Sequence, residues 1–290
     1  MIRRRSTSVT LACAAVLALL SACTPAPPAA VDWTLRATSI TSVDSQDEVR
    51  VLGACVAIPN CDDEAYLYQI AFRARIGEPG SAQAWVVRGS EIGGLSEGDT
   101  RALSGGQSAQ VDFTGVQPLD VLEALDPANK FEIVGVYTWA AEADLINSLD
   151  GGANSVAGLL RDALNRTIAT QQVPDGDAPG LIDLILDQLF NNFGSTFRLI
   201  LANIPCLGLC DDVLGGRVYL GLGATGALAQ TLDPILAGVQ IPSIGTGFEV
   251  PPSIQGGGIF TMGGPRTFAD QSFVGADGHH RYTFQTGPAA

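Results

Sequence analysis

The stretch Tyr66-Leu67-Tyr68-Gln69-Ile70-Ala71-Phe72-Arg73-Ala74-Arg75-Ile76 carries the fold. Tyr66, Tyr68, Ile70, Phe72, Ala74 and Ile76 fall on one face of an extended chain, and Gln69, Arg73 and Arg75 on the other. Side chains alternate across a strand, so this spacing predicts a half-buried strand whose polar face meets water. Residues 33–40, 82–88, 109–113 and 130–139 alternate in the same way, less regularly, and Gly77-Glu78-Pro79-Gly80 supplies a turn between two of these segments. Near the far end, residues 272–274 and 280–285 flank Ala276-Asp277-Gly278, a hairpin signal. Strands are therefore expected at both ends of the chain.

Between them the period changes. Val156, Leu159, Leu160, Ala163, Leu164, Thr167 and Ile168 recur at three- and four-residue spacing, which predicts one apolar helical stripe starting near Asn154 or Ser155. A second helix is expected over 177–202, after Asp177 and Pro179, with Asp183, Asp187, Asn191, Ser195 and Arg198 forming one narrow polar line. Twelve Leu, Ile and Phe residues from 181 to 201 favour membrane insertion by roughly 4 to 7 kcal/mol, and its three charges oppose it by about 7 to 10. The balance predicts a helix buried in protein, with Phe190, Phe193 and Phe197 as candidate contacts for an apolar ligand. A short helix or turn is expected over 227–237, followed by a long crossover back to the strands.

The composition bounds the function. Of 290 residues, 46% are hydrophobic and 16% charged, which predicts a folded core rather than a disordered chain. The 30 acidic residues outnumber 16 basic ones, and Lys130 is the only lysine. Phosphate neutralisation needs clustered Arg and Lys, so nucleic-acid binding is excluded as a class.

Arg3, Arg4 and Arg5 precede a run of small and apolar residues, 9–20, the pattern of an export signal and too short for a spanning helix. The run ends in Leu20-Ser21-Ala22-Cys23, which resembles the lipobox of bacterial lipoproteins. The resemblance implies cleavage before Cys23 and a diacylglyceryl group on its sulfur, and it covers about twenty residues only. Acyl chains contribute about 0.8 kcal/mol per buried methylene, so two or more hold a protein on a bilayer. Residues 24–31 (TPAPPAAV) form a stiff tether of roughly 25 Å at about 3.1 Å per residue. Less the three signal arginines, 13 basic and 30 acidic residues leave a balance of -17, so lipid rather than charge is expected to do the anchoring.

With Cys13 in the signal and Cys23 acylated, Cys55, Cys61, Cys206 and Cys210 remain. An even number outside the cytoplasm predicts disulfides, and the local pairs Cys55 with Cys61 and Cys206 with Cys210 close short loops containing Pro or Gly. A four-cysteine zinc site needs a pair with two to four intervening residues repeated twice, which these spacings do not give.

Few constellations point to chemistry. Gly221-Leu222-Gly223-Ala224-Thr225-Gly226 matches a dinucleotide-binding fingerprint, but Asp233 falls too early for the ribose acid and no second parallel strand is expected. His279 and His280, the only histidines, are expected on a solvated hairpin, and neither a nucleophile elbow nor a zinc-protease motif accompanies them. Acidic clusters at Asp44, Asp47 and Glu48, at Asp62, Asp63 and Glu64, and at Asp211 and Asp212 lack the spacing of a calcium loop. Trp33, Trp85 and Trp139 lie in strand-like segments and are expected in the core.

The expected fold is α+β: an antiparallel β-sandwich with a helical insertion subdomain. Residues 1–22 form the signal, 23–31 the acylated cysteine and tether, and 32–141 the first part of the sandwich. Residues 142–237 form the insertion and 238–290 the crossover and return. The expected function is a lipid-anchored, extracytoplasmic, non-catalytic domain without cofactor or metal, binding a protein, an envelope polymer or an apolar ligand. The alternatives are a carboxylate-using envelope hydrolase and a calcium-stabilised adhesion module.

Overall fold

A computed structural model of the chain describes residues 28–45, 50–51, 54–55, 63–142, 150–170, 213–237, 239, 241, 243, 253–275 and 278–289. The strands are β1 (Val31–Ser45), β2 (Arg50–Val51), β3 (Ala54–Cys55), β4 (Asp63–Arg75), β5 (Gln83–Arg88), β6 (Ile92–Leu95), β7 (Thr100–Ala102), β8 (Val111–Val116), β9 (Glu132–Glu142), β10 (Val213–Leu222), β11 (Ile254–Thr261), β12 (Arg266–Val274) and β13 (Gly278–Pro288). The described helices are α1 (Val121–Ala124), α2 (Asp150–Arg166) and α3 (Gly226–Leu236).

Two sheets pack face to face, as an α+β sandwich requires. The first runs β12-β13-β1-β7, with β8 also on β1; the second runs β11-β10-β9-β4-β5, with β6 on β4. β1 pairs antiparallel with β13 from Trp33↔Pro288 to Ser45↔Gly278, so both ends of the chain share one ladder. The hairpin expected around Ala276-Asp277-Gly278 is the β12–β13 pair.

Between the sheets lie Trp33, Leu35, Val111, Phe113, Phe273, Tyr282 and Phe284 of the first, against Leu67, Ala71, Val134, Val136, Ala140 and Tyr219 of the second. Trp33 and Trp139 are buried and Trp85 is partly buried, in keeping with core positions.

The outer face of the second sheet is covered as well, and this corrects the expectation of a water-facing side on β4. Tyr66, Tyr68, Ile70 and Phe72 pack toward Val156, Leu160 and Leu164 of α2 and Leu228, Leu232 and Leu236 of α3, whereas Ala65, Leu67 and Ala71 face the first sheet. Gln69 is 0% exposed, and Thr138 Oγ1, its register partner on β9, donates to its Oε1 at 2.5 Å. A neighbour 69 residues away supplies the polar contact that water was expected to supply.

Helix α2 starts at Asp150, earlier than Asn154 or Ser155. Asn154 Nδ2 donates to the Asp150 carbonyl and Ser155 Oγ to the Gly151 carbonyl, so both bond back within a turn already formed instead of capping it. Residues 142–237, expected as one helical insertion, also hold β10, a strand between β9 and β11. The helix expected over 177–202 lies outside the described residues.

β11 runs parallel to β10, contrary to the expectation of no second parallel strand. Its glycines permit the approach: Gly257 sits at φ +153°, and a Cβ there would stand 1.8 Å from the Val218 carbonyl oxygen. The remaining named pairs within both sheets are antiparallel.

Candidate functional site

The outer face of the first sheet is polar because β1 alternates. Trp33, Leu35 and Ala37 point inward, leaving Asp32, Thr34, Arg36 and Thr38 outward. Asp112 and Thr114 of β8 and Gln285 of β13 share that side. Asp32, Thr34, Arg36, Asp112, Thr114 and Gln285, with Gln110, Pro265 and residues 286–289, line a cleft of about 580 Å³. A second hollow of about 520 Å³ shares Arg36 and Gln110 with it and is completed by Thr38, Leu103, Ser104, Gly105 and Ser108. The two form one run across the sheet.

The lining groups are held in place by the chain. Arg36 reaches Gln285 Oε1 at 3.5 Å, Gln110 Nε2 donates to Asp112 Oδ1 at 2.7 Å, and the Gly115 amide donates to Asp32 Oδ1 at 2.7 Å. Beneath them Trp33 Nε1 donates to Thr286 Oγ1 at 2.6 Å, and Thr286 Oγ1 donates to the Thr34 carbonyl at 2.8 Å. One wall of the second hollow is a short 3-10 turn, Gly105–Ser108, which leads into Ala109 at φ 45°. A non-glycine residue in that region costs about 1–3 kcal/mol, and such outliers cluster at binding sites.

One arginine, two carboxylates and a surround of hydroxyls and amides give the cleft many hydrogen-bonding groups and little net charge. That lining suits a neutral polar chain better than a polyanion. None of these residues was singled out from sequence. The signal that could have found them is the outward series at every second position from Asp32 to Thr38.

The residues that were singled out are dispersed. Cys55 lies in β3, where its backbone pairs with Arg50. Cys23, Cys61, Cys206, Cys210, Phe190, Phe193 and Phe197 lie outside the described residues, as do Asp47, Glu48, Asp62, Asp211, Asp212 and Asp277. His280 is not on a solvated surface: it is 0% exposed, and its Nε2 stands 3.5 Å from Oε1 of Glu142 in the opposite sheet. His279, its neighbour along β13, points to the other face and is partly exposed. Among the described residues no three His, Cys, Asp or Glu side chains gather where they could hold a metal ion.

The glycine fingerprint has its strand, helix and parallel neighbour in β10, α3 and β11. The place a pyrophosphate would take is nevertheless filled. Asp120 Oδ1 accepts from the Leu228 amide at 3.1 Å and from the Val121 amide at 2.7 Å, serving the first turns of α3 and α1 together. A Cβ on Gly226 would meet Asp120 Oδ2 at 2.5 Å. The protein's own carboxylate thus occupies the anion position at this helix start.

No family model matches the sequence, and neither curated proteins nor solved structures yield a match.

Proposed function

We propose that the protein is a bacterial lipoprotein: a non-catalytic domain fixed through acylated Cys23 to the extracytoplasmic face of the cell membrane. In this reading the cleft around Arg36 and Gln110 binds a neutral, hydrogen-bonding envelope polymer. The observation that carries the anchoring is Leu20-Ser21-Ala22-Cys23, followed directly by the proline-rich tether. The paired hollows and their small net charge support the ligand class. Disulfides between Cys55 and Cys61 and between Cys206 and Cys210 fit the same oxidising compartment.

The test uses the full chain captured on a lipid layer by its own acyl groups, with soluble glycan fragments of the envelope passed over it. Binding should weaken at least tenfold, about 1.4 kcal/mol, in Arg36→Glu. Equal binding by the variant, or no binding by the parent, rejects the ligand assignment. Capture that persists in Cys23→Ala rejects the anchor.

A second reading has one observation in its favour. Asp32 and Asp112 both line the cleft, and Asp112 is the register partner of Thr34, two places along β1 from Asp32. Two acids beside a bound glycan are what a glycoside hydrolase needs. Release of reducing ends from the same fragments, abolished in Asp112→Asn, would establish that reading in place of simple binding.

A further inference from the structure

The tether enters the fold at Val31, whose register partner on the next strand is Val116 of β8. From Val116 the chain passes through Leu119, whose amide donates to the Gly223 carbonyl, and reaches α1. That short helix is fixed at its start by reciprocal bonds between Asp120 and Glu123. Its apolar side chains are not folded inward: Leu122 is 78% exposed, Leu125 59% and Val121 40%. Elsewhere the described large apolar side chains with comparable exposure stand singly, at Leu159, Ile235 and Val274.

Leu122 lies six positions after Val116, a reach of at most about 20 Å. The tether from Cys23 spans roughly 25 Å when extended. A bilayer surface holding Cys23 is therefore within reach of these three side chains. The opposite end of the sandwich lies farther from the attachment point, because β1 runs 15 residues, about 50 Å, from Val31 to Ser45.

The nearby acids are already engaged with the chain's own amides. Glu123 accepts from the Asp120 amide at 2.8 Å and Asp126 from the Ala128 amide at 2.9 Å. What α1 offers outward is apolar, on an element whose start is capped.

We infer that Val121, Leu122 and Leu125 form a second membrane contact, dipping into the bilayer that carries the acylated Cys23 and setting which end of the domain faces it. The inference rests on the anchored reading above, and the occupant it names is the lipid surface itself. The contact needs no basic residues, in keeping with a strongly acidic chain.

The test places a tryptophan at Leu122 or at Val274 in the full acylated chain. Val274 is on the partner strand of His279, at the far end of the sandwich, and is half exposed. Both proteins are reconstituted into phosphatidylethanolamine and phosphatidylglycerol vesicles with plain or brominated acyl chains. Bromine quenches indole emission only by close approach. Leu122→Trp should lose most of its added emission in brominated vesicles, and Val274→Trp should keep its own. Equal quenching of the two, or none at Leu122→Trp in protein that floats with the vesicles, overturns the inference while leaving the anchor intact. Protein that does not float overturns both.

Discussion

Glu142, the last residue of β9, and His280 of β13 meet across the sandwich with Oε1 and Nε2 3.5 Å apart, and neither side chain is more than 3% exposed. They lie 138 positions apart in the chain and in different sheets, so the contact exists only once both sheets have closed.

Removing either partner takes this contact away from a buried polar group. Glu142→Ala and His280→Ala should each destabilise the fold by about 3–5 kcal/mol, read as a lower urea midpoint at unchanged slope. The double variant should lose clearly less than the two single losses added together, because the two residues share one interaction.

The carboxyl of Asp120 is held below its ordinary value by the amide of Val121, then those of Leu228 and Ala227. A depressed folded value means that its stabilisation is complete above the unfolded value of about 3.9 and disappears as pH falls through the lower folded one. Asp120→Asn should therefore melt below the parent at neutral pH. The gap between their melting temperatures should shrink as the pH is taken below about 4.

Helix α2 is tied to the second sheet by Tyr68, whose hydroxyl donates to Asp150 Oδ1 at 2.7 Å. Tyr68→Phe keeps the ring contacts with Tyr66 and Trp139 and removes that bond, at a cost of about 1 kcal/mol. Hydrogen exchange should show residues 150–166 losing protection before β9 does.

Gly257 and Gly264 separate backbone necessity from mere composition. A Cβ on Gly257 would strike the Val218 carbonyl oxygen, whereas one on Gly264 meets nothing within 4 Å. Gly257→Ala should cost about 3 kcal/mol, and Gly264→Ala should stay within about 0.5 kcal/mol of the parent by denaturant titration.

The elements that advertise themselves locally were legible in the sequence. The alternation around Tyr66, the hairpin before His280 and the stripe from Val156 to Leu164 are all decided within a dozen residues, and each appears where its period places it, except that Leu159 of the stripe is exposed. What was not legible depends on distant partners. Gln69 and Arg73 look solvated until Thr138 bonds the first and Glu132 accepts from Nε of the second at 2.6 Å. β11 begins Ile254-Gln255-Gly256-Gly257-Gly258, and glycines carry no side-chain period, so its pairing with β10 left no signal. The cleft is assembled from alternate positions of β1, β8 and β13, each ordinary for an exposed strand residue, and only the ladder brings them together.

The inward series of β9 is Glu132, Val134, Val136, Thr138, Ala140 and Glu142, an acid at each mouth of the sandwich with an apolar or hydrogen-bonded run between. Arg73 meets the first acid and also donates to the Thr114 carbonyl of the other sheet at 2.8 Å, as His280 meets the last. Sliding this strand two places either way keeps its pattern of facing sides but drags a carboxylate in among the valine contacts and strands a cation. The pair of glutamates therefore works as a ruler: misaligned assemblies are rejected at both ends, and only one alignment lets the two layers shut.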